Sequence, residues 1–149
     1  MAISQAVCNV FKQELLKGNH DFDGGATYKI SLYTSSATLG ATTANYTATA
    51  SDNQVANGSG YTTGGAALSN PAVVGGSSAS TAYADFDNIS WPSASFSAAG
   101  GLMYRSDGPA PTNDAVAVLS FGGTFTATNG TFTIQFPTAG GGSEILRLT

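Results

Sequence analysis

Charge is what this sequence has least of. Lys, Arg, Asp and Glu make up only 9% of its 149 residues, well under half of the roughly 25% common in soluble domains. The five basic residues, Lys12, Lys17, Lys29, Arg105 and Arg147, are scattered along the chain, so they cannot track a nucleic-acid backbone or form an anionic-membrane patch. Nine acidic residues bring the formal net charge to −4. Cysteine is limited to Cys8, which excludes an intrachain disulfide framework and a cysteine-rich zinc site. His20 is the only histidine, so a multi-histidine metal centre is excluded as well. No run approaches the ~18 apolar residues of a membrane span. The opening MAISQAVCNVFKQELL lacks the basic start and unbroken apolar core of a signal peptide. Neither ordinary secretion nor membrane insertion is expected, and no cofactor is implied.

What is abundant is small. Ala, Gly, Ser and Thr fill about half the chain, a composition that argues against a mostly helical protein and for a polar, uncharged surface. The length suits one domain, residues 1–149, around one core. One convincing helix is expected over residues 4–17 within an N-terminal unit 1–18, capped by Ser4 and ended by Gly18. Val7, Val10, Phe11 and Leu15 make its apolar stripe together with Glu14, while Lys12, Gln13 and Lys17 face water. The stripe packs on the chain's own β-domain or serves as a docking or oligomerisation arm.

Beyond a turn-rich connector at residues 19–25, the pattern turns to strands in a β-domain spanning 26–149. Tyr28-Lys29-Ile30-Ser31-Leu32-Tyr33-Thr34 alternates as a half-buried strand should. Further strands are expected near 66–74, 81–86, 101–105, 115–121, 130–136 and 144–148. Asn129-Gly130 predicts a two-residue hairpin joining 125–127 to 132–136. The fold class is therefore mainly β: an antiparallel β-sandwich or irregular β-barrel of seven to eight short strands with a short N-terminal helix. Inward positions include Ile30, Leu32, Val73, Trp91, Leu102, Val118, Phe132, Ile134 and Leu148. Residues 35–65 and 75–80 are poor in large apolar side chains; a loop as long as the first is commonly functional, flexible or packed on a partner.

Chemistry-bearing residues are few. Asp85 and Asp87 bracket Phe86, and strand alternation puts both carboxylates on one face; with no second element to flank a sugar, a solvated strand face explains them better than a glycosidase pair. Asp21, Asp23 and Gly24 resemble the opening of a calcium loop, but no closing Glu follows and a turn is the simpler reading. His20 has no G-x-S-x-G serine to work with, and Cys8 reads as a small buried hydrophobe. The paired glycines, including Gly140-Gly141-Gly142, lack the Lys-Ser or Lys-Thr of a phosphate loop and read as turns. Sequons at Asn45, Asn57, Asn88 and Asn129 carry no glycan in the absence of secretion. Exposed Tyr46, Tyr61 or Trp91 would suit sugar stacking in a carbohydrate-binding β-sandwich module, although Trp91 reads better as a core or interface anchor.

Five blocks, MAISQAVCNVFKQELLKGNHDF, YKISLYTSSATLG, GSGYTTGGAAL, ISWPSASFSAAGGLMYRS and VAVLSFGGTFTATNGTFTIQFP, together resemble a family of small virion proteins encoded by tailed bacteriophages. The resemblance runs over nearly the full length and includes no catalytic motif. It implies a non-enzymatic structural protein of the virion, made in the host cytoplasm, and is most similar to capsid decoration, or cement, proteins. Its implied partner is the major capsid protein on the outer surface of the shell, with a homotrimer as the implied oligomer. Val7, Val10, Phe11, Leu15, Tyr46 and Tyr61 are then the expected partner-binding residues. A tail, baseplate or fibre-adaptor protein would share the same features.

Overall fold

The computed structural model describes residues 2–49, 52–75, 80–108, 113–138 and 144–148. Among them the architecture is mainly β, with ten strands in antiparallel sheets, one short N-terminal helix and no closed barrel. The largest sheet has five strands in the order β1-β8-β7-β2-β3: β1 (Ala6–Val7), β8 (Ala115–Thr126), β7 (Ser97–Arg105), β2 (Tyr28–Tyr33) and β3 (Ala66–Ala67). A three-stranded sheet joins β10 (Leu146–Leu148), β5 (Ala82–Asp85) and β4 (Ala72–Val74), and a two-stranded ribbon pairs β6 (Ile89–Ala94) with β9 (Gly130–Ile134).

The helix α1 (Asn9–Leu16) is shorter than its apolar periodicity suggests, and Ser4 does not cap it. Tertiary pairing takes the preceding residues: Ala6 and Val7 lie opposite Val118 and Ala117 on β8. The Cys8 and Asn9 amides then donate to Val116 and Ala41 carbonyls. A sheet ladder thus satisfies backbone groups that an earlier helix start would have left to a side-chain cap, and Val7 becomes a strand residue. The C-terminus follows expectation. Gly18 takes φ +77°, its N–H donates to Leu15 and that of Asn19 to Glu14, the paired bonds of a Schellman motif.

The strand β2 is buried on both faces, not one. Its register with β7 places Tyr28, Ile30, Leu32 and Met103 on one side and Ser31, Tyr33, Leu102 and Tyr104 on the other. The second side is covered by parts of residues 35–49 and 52–65. Tyr46 of that segment stacks on Tyr104 with ring centroids 4.4 Å apart, and Ala37, Val55 and Tyr61 are buried with it. Backbone bonds from Val55 to Leu32, Thr34 to Asn53, Tyr46 to Asn113 and Ala115 to Ala44 hold the segment down. Gly65, at its end, has φ +76°, and a Cβ there would lie 1.8 Å from the Ile30 carbonyl oxygen; only glycine lets the chain approach the strand so closely.

Three other expectations are corrected. The single strand over 66–74 is two strands in different sheets, because Asn70 at φ 51° and Pro71 break the ladder between them. The hairpin at Asn129-Gly130 does not form: β8 pairs with β7 and β9 pairs with β6. Asn129 alone takes a positive φ (48°), whereas a type I′ turn needs two in succession. The chain instead turns a corner between sheets, fixed by Ser95, whose Oγ accepts the Asn129 N–H at 2.9 Å. Strand β6 was hidden by Pro92, which sits at a bulge between Trp91 and Ala94, where a missing N–H costs no ladder bond.

The core is one cluster running from Phe11, Phe22 and Phe86 through Ile30, Leu32 and Val118 to Trp91 and Phe132. Val73 and Leu148, expected inside, are 55% and 61% exposed. Residues 76–79 of the 75–80 stretch and the turn at 140–142 lie outside the described residues.

A candidate docking groove

Val73 and Leu148 are exposed because they border a groove of about 630 Å³ between α1 and the sheet β10-β5-β4. One wall is Val7, Phe11, Lys12, Leu15 and Leu16; the other is built from Val73, Ala82, Tyr83, Ala84, Leu146, Arg147 and Leu148, with His20, Asp21 and Phe22 also lining it. Helical spacing explains the first wall. Phe11 and Glu14 turn into the protein while Lys12 and Leu16, four residues apart, share an outer flank. Leu16 is 91% exposed.

Three of the expected partner-binding residues, Val7, Phe11 and Leu15, therefore converge on this groove. Val10 is half-buried and packs on the core. Phe11 contributes to the groove as a wall fixed in the interior: it is buried and meets His20 and Phe22 edge-on at 4.7 and 5.9 Å. Tyr46 and Tyr61 lie elsewhere and are buried, which corrects the expectation of exposed stacking rings. Tyr46 donates to Gln54. The Tyr61 hydroxyl accepts the Leu32 N–H at 2.9 Å and the Gln54 amide at 2.9 Å, closing the edge of β2 with a side chain. Burial holds the Tyr61 phenol above its ordinary range, despite those two bonds. Trp91 is buried against Tyr61 and Phe132 as a core anchor.

His20 is the polar residue that sequence reading undervalued. It is only 9% exposed and is flanked by Phe11, Phe22 and Tyr28. Burial, with Arg105 adding repulsion, pushes its imidazole down to about 4, so it is neutral near pH 7. Its Nδ1 lies 3.3 Å from the Tyr28 hydroxyl. His20 Nε2 has no hydrogen-bond partner among the described residues. Glu14, buried beneath the helix, is held ionised by Lys17 Nζ at 2.8 Å and by the Asn19 amide.

The remaining candidates separate. Strand β5 ends at Asp85, whose carboxylate accepts the Phe86 N–H; Asp87 lies beyond the strand and is bound by Asn70, so the two do not share a strand face. Asp21 Oδ1 accepts the Asp23 N–H at 2.8 Å, an Asx turn. Among the described residues no three His, Cys, Asp or Glu side chains are grouped to hold a metal ion, and no helix is long and apolar enough to cross a membrane. Cys8 is fully buried, which pushes its thiol up to about 11 and leaves it a poor nucleophile. The four sequon asparagines are all exposed; Asn57 and Asn88 use their side-chain oxygens to bind the Thr63 and Phe136 amides. A polar cleft between Thr38, Thr43, Asn45, Asp52 and Asn53 also opens on the surface.

Comparison with protein-family models, with curated proteins and with solved structures finds no match to this chain.

Proposed function

We propose that this chain is a bacteriophage virion structural protein, a capsid decoration protein that binds the outer surface of the major capsid protein shell as a trimer and stabilises the head. The observation that carries the reading is the α1/β-sheet groove, bordered by exposed Leu16, Val73 and Leu148. An apolar patch of this kind on an otherwise polar, low-charge surface marks a protein contact. The five sequence blocks supply the phage context. Decoration requires a stable body, an apolar anchor site and contacts repeated by symmetry. The groove meets the second need without chemistry.

Quantitative mass spectrometry of purified particles, with heads and tails separated, tests the reading. Hundreds of copies following the head fraction are expected. A few to a few dozen following the tail would replace decoration with a tail, baseplate or fibre-adaptor role, which uses the same groove. The carbohydrate-binding alternative loses its main support with the burial of Tyr46, Tyr61 and Trp91, since the polar cleft offers hydrogen bonds but no exposed ring among its lining residues.

A further inference from the structure

Four dipeptides place a glycine directly after an aspartate or asparagine: Asp23-Gly24, Asn57-Gly58, Asp107-Gly108 and Asn129-Gly130. At such a pair the glycine amide nitrogen attacks the side-chain carbonyl carbon, since glycine brings no Cβ to hinder the approach. The new C–N bond forms as water leaves from Asp, or ammonia from Asn, and closes a five-membered imide. Water then opens the imide at either carbonyl. One opening gives aspartate; the other gives isoaspartate, in which the main chain runs through the former side-chain methylene. For Asp the water lost is regained, so no other reactant is needed.

The fold restrains three of the four pairs. The Asn57 side-chain oxygen accepts the Thr63 N–H, and the Gly58 N–H, the would-be nucleophile, donates to the Tyr61 carbonyl at 2.8 Å. Both Asp107 oxygens are taken, one by the Thr27 N–H and one by Arg105 Nε. Asn129 is held twice by the Ser95 hydroxyl, through its side-chain oxygen and its N–H, and Gly130 lies in the ladder opposite Ala94. Asp23-Gly24 is different. Both residues are exposed, and neither the Asp23 carboxylate nor the Gly24 N–H has a hydrogen bond among the described residues. Gly24 has φ +100°, and a Cβ built on it would meet nothing within 4 Å.

We propose that Asp23-Gly24 is a site of spontaneous isoaspartate formation in the folded protein, reacting as it does in a free peptide, while the other three pairs are protected. The rearrangement adds a methylene to the main chain one residue beyond buried Phe22, in the connector whose His20, Asp21 and Phe22 line the groove. The chemistry is the same whatever the protein binds.

The intact protein and synthetic peptides spanning the four pairs, incubated side by side at neutral pH below the melting temperature, provide the test. Proteolysis and electron-transfer mass spectrometry separate isoaspartate from aspartate by their main-chain fragments. Asp23 in the protein should react within about twofold of its peptide, and Asn57, Asp107 and Asn129 at least about tenfold more slowly than theirs, because their hydrogen bonds must open first. Asp23→Ser, at an exposed position, should melt like the parent protein and form no isoaspartate in the connector. Slowing of Asp23 as strong as that of the other three, or peptide-like reaction at any of those three, would overturn the proposal.

Discussion

His20 illustrates how one residue changes meaning with its surroundings. In sequence it stands in a polar turn, Asn19-His20-Asp21; in the fold it is enclosed by Phe11, Phe22 and Tyr28. Its folded form resists protonation until about pH 4, whereas an unfolded histidine titrates near 6.5. Between those values the unfolded chain binds a proton that the folded chain refuses, so stability is full above about 6.5 and falls as pH drops towards 4. Screening by solvent at the groove limits the loss from this group to on the order of 2 kcal/mol. Urea midpoints at pH 7, 5.5 and 4.5 should therefore fall more steeply for the parent protein than for His20→Phe. Equal slopes would show that the imidazole is solvated in the folded state.

At the scale of elements, the N-terminal segment is part of the body. Residues 6–7 form an edge strand on β8, Cys8 and Phe11 are buried in the core, and Ser4 donates to Leu39. Removing residues 1–17 takes away a strand and a buried phenylalanine together. Truncating the phenylalanine alone costs about 3–5 kcal/mol, a large share of a domain's total stability. Circular dichroism should show the deleted protein unfolded or melting far below the parent, and an unchanged melting temperature would refute this placement. Docking by this segment is therefore better probed at Lys12 and Leu16, whose side chains lie on the outer flank. Residues 35–49 and 52–65 are likewise tied to the body, through backbone bonds to Leu32, Thr34, Asn113 and Ala115 and through buried Ala37, Tyr46, Val55 and Tyr61, while most of their other residues stay exposed.

Across the whole molecule, the ladders join distant parts of the chain. Ala6 lies opposite Val118, Leu146 opposite Ala84, and Ile89 opposite Ile134. Such closures must be made before their contacts stabilise anything, which slows folding. Stopped-flow refolding should take milliseconds to seconds; complete recovery within microseconds would contradict this pairing. The same long-range pairing builds the groove, since its two walls come from residues 7–16 and from strands near 73, 83 and 147. No window of sequence contains both walls.

The parts legible in the sequence are those governed by local physics. Alternation in Tyr28–Tyr33 marked a strand, Gly18 marked the helix end, scarcity of charge left few chemical groups to assign, and the aliphatic residues Val7 and Leu15 pointed towards the groove. Tertiary structure decided the rest, because pairing and burial are non-local. It drew Ala6 and Val7 out of a helix and into a sheet, and sent Asn129-Gly130 round a corner. It put Tyr46 and Tyr61 under cover, and turned Val73 and Leu148 outward on a short sheet, where they are exposed among the described residues. His20 shows the division plainly: its residue type and turn position can be read from the sequence, but its neutrality and the lack of a partner for its Nε2 among the described residues come from the packing of Phe11, Phe22 and Tyr28 around it.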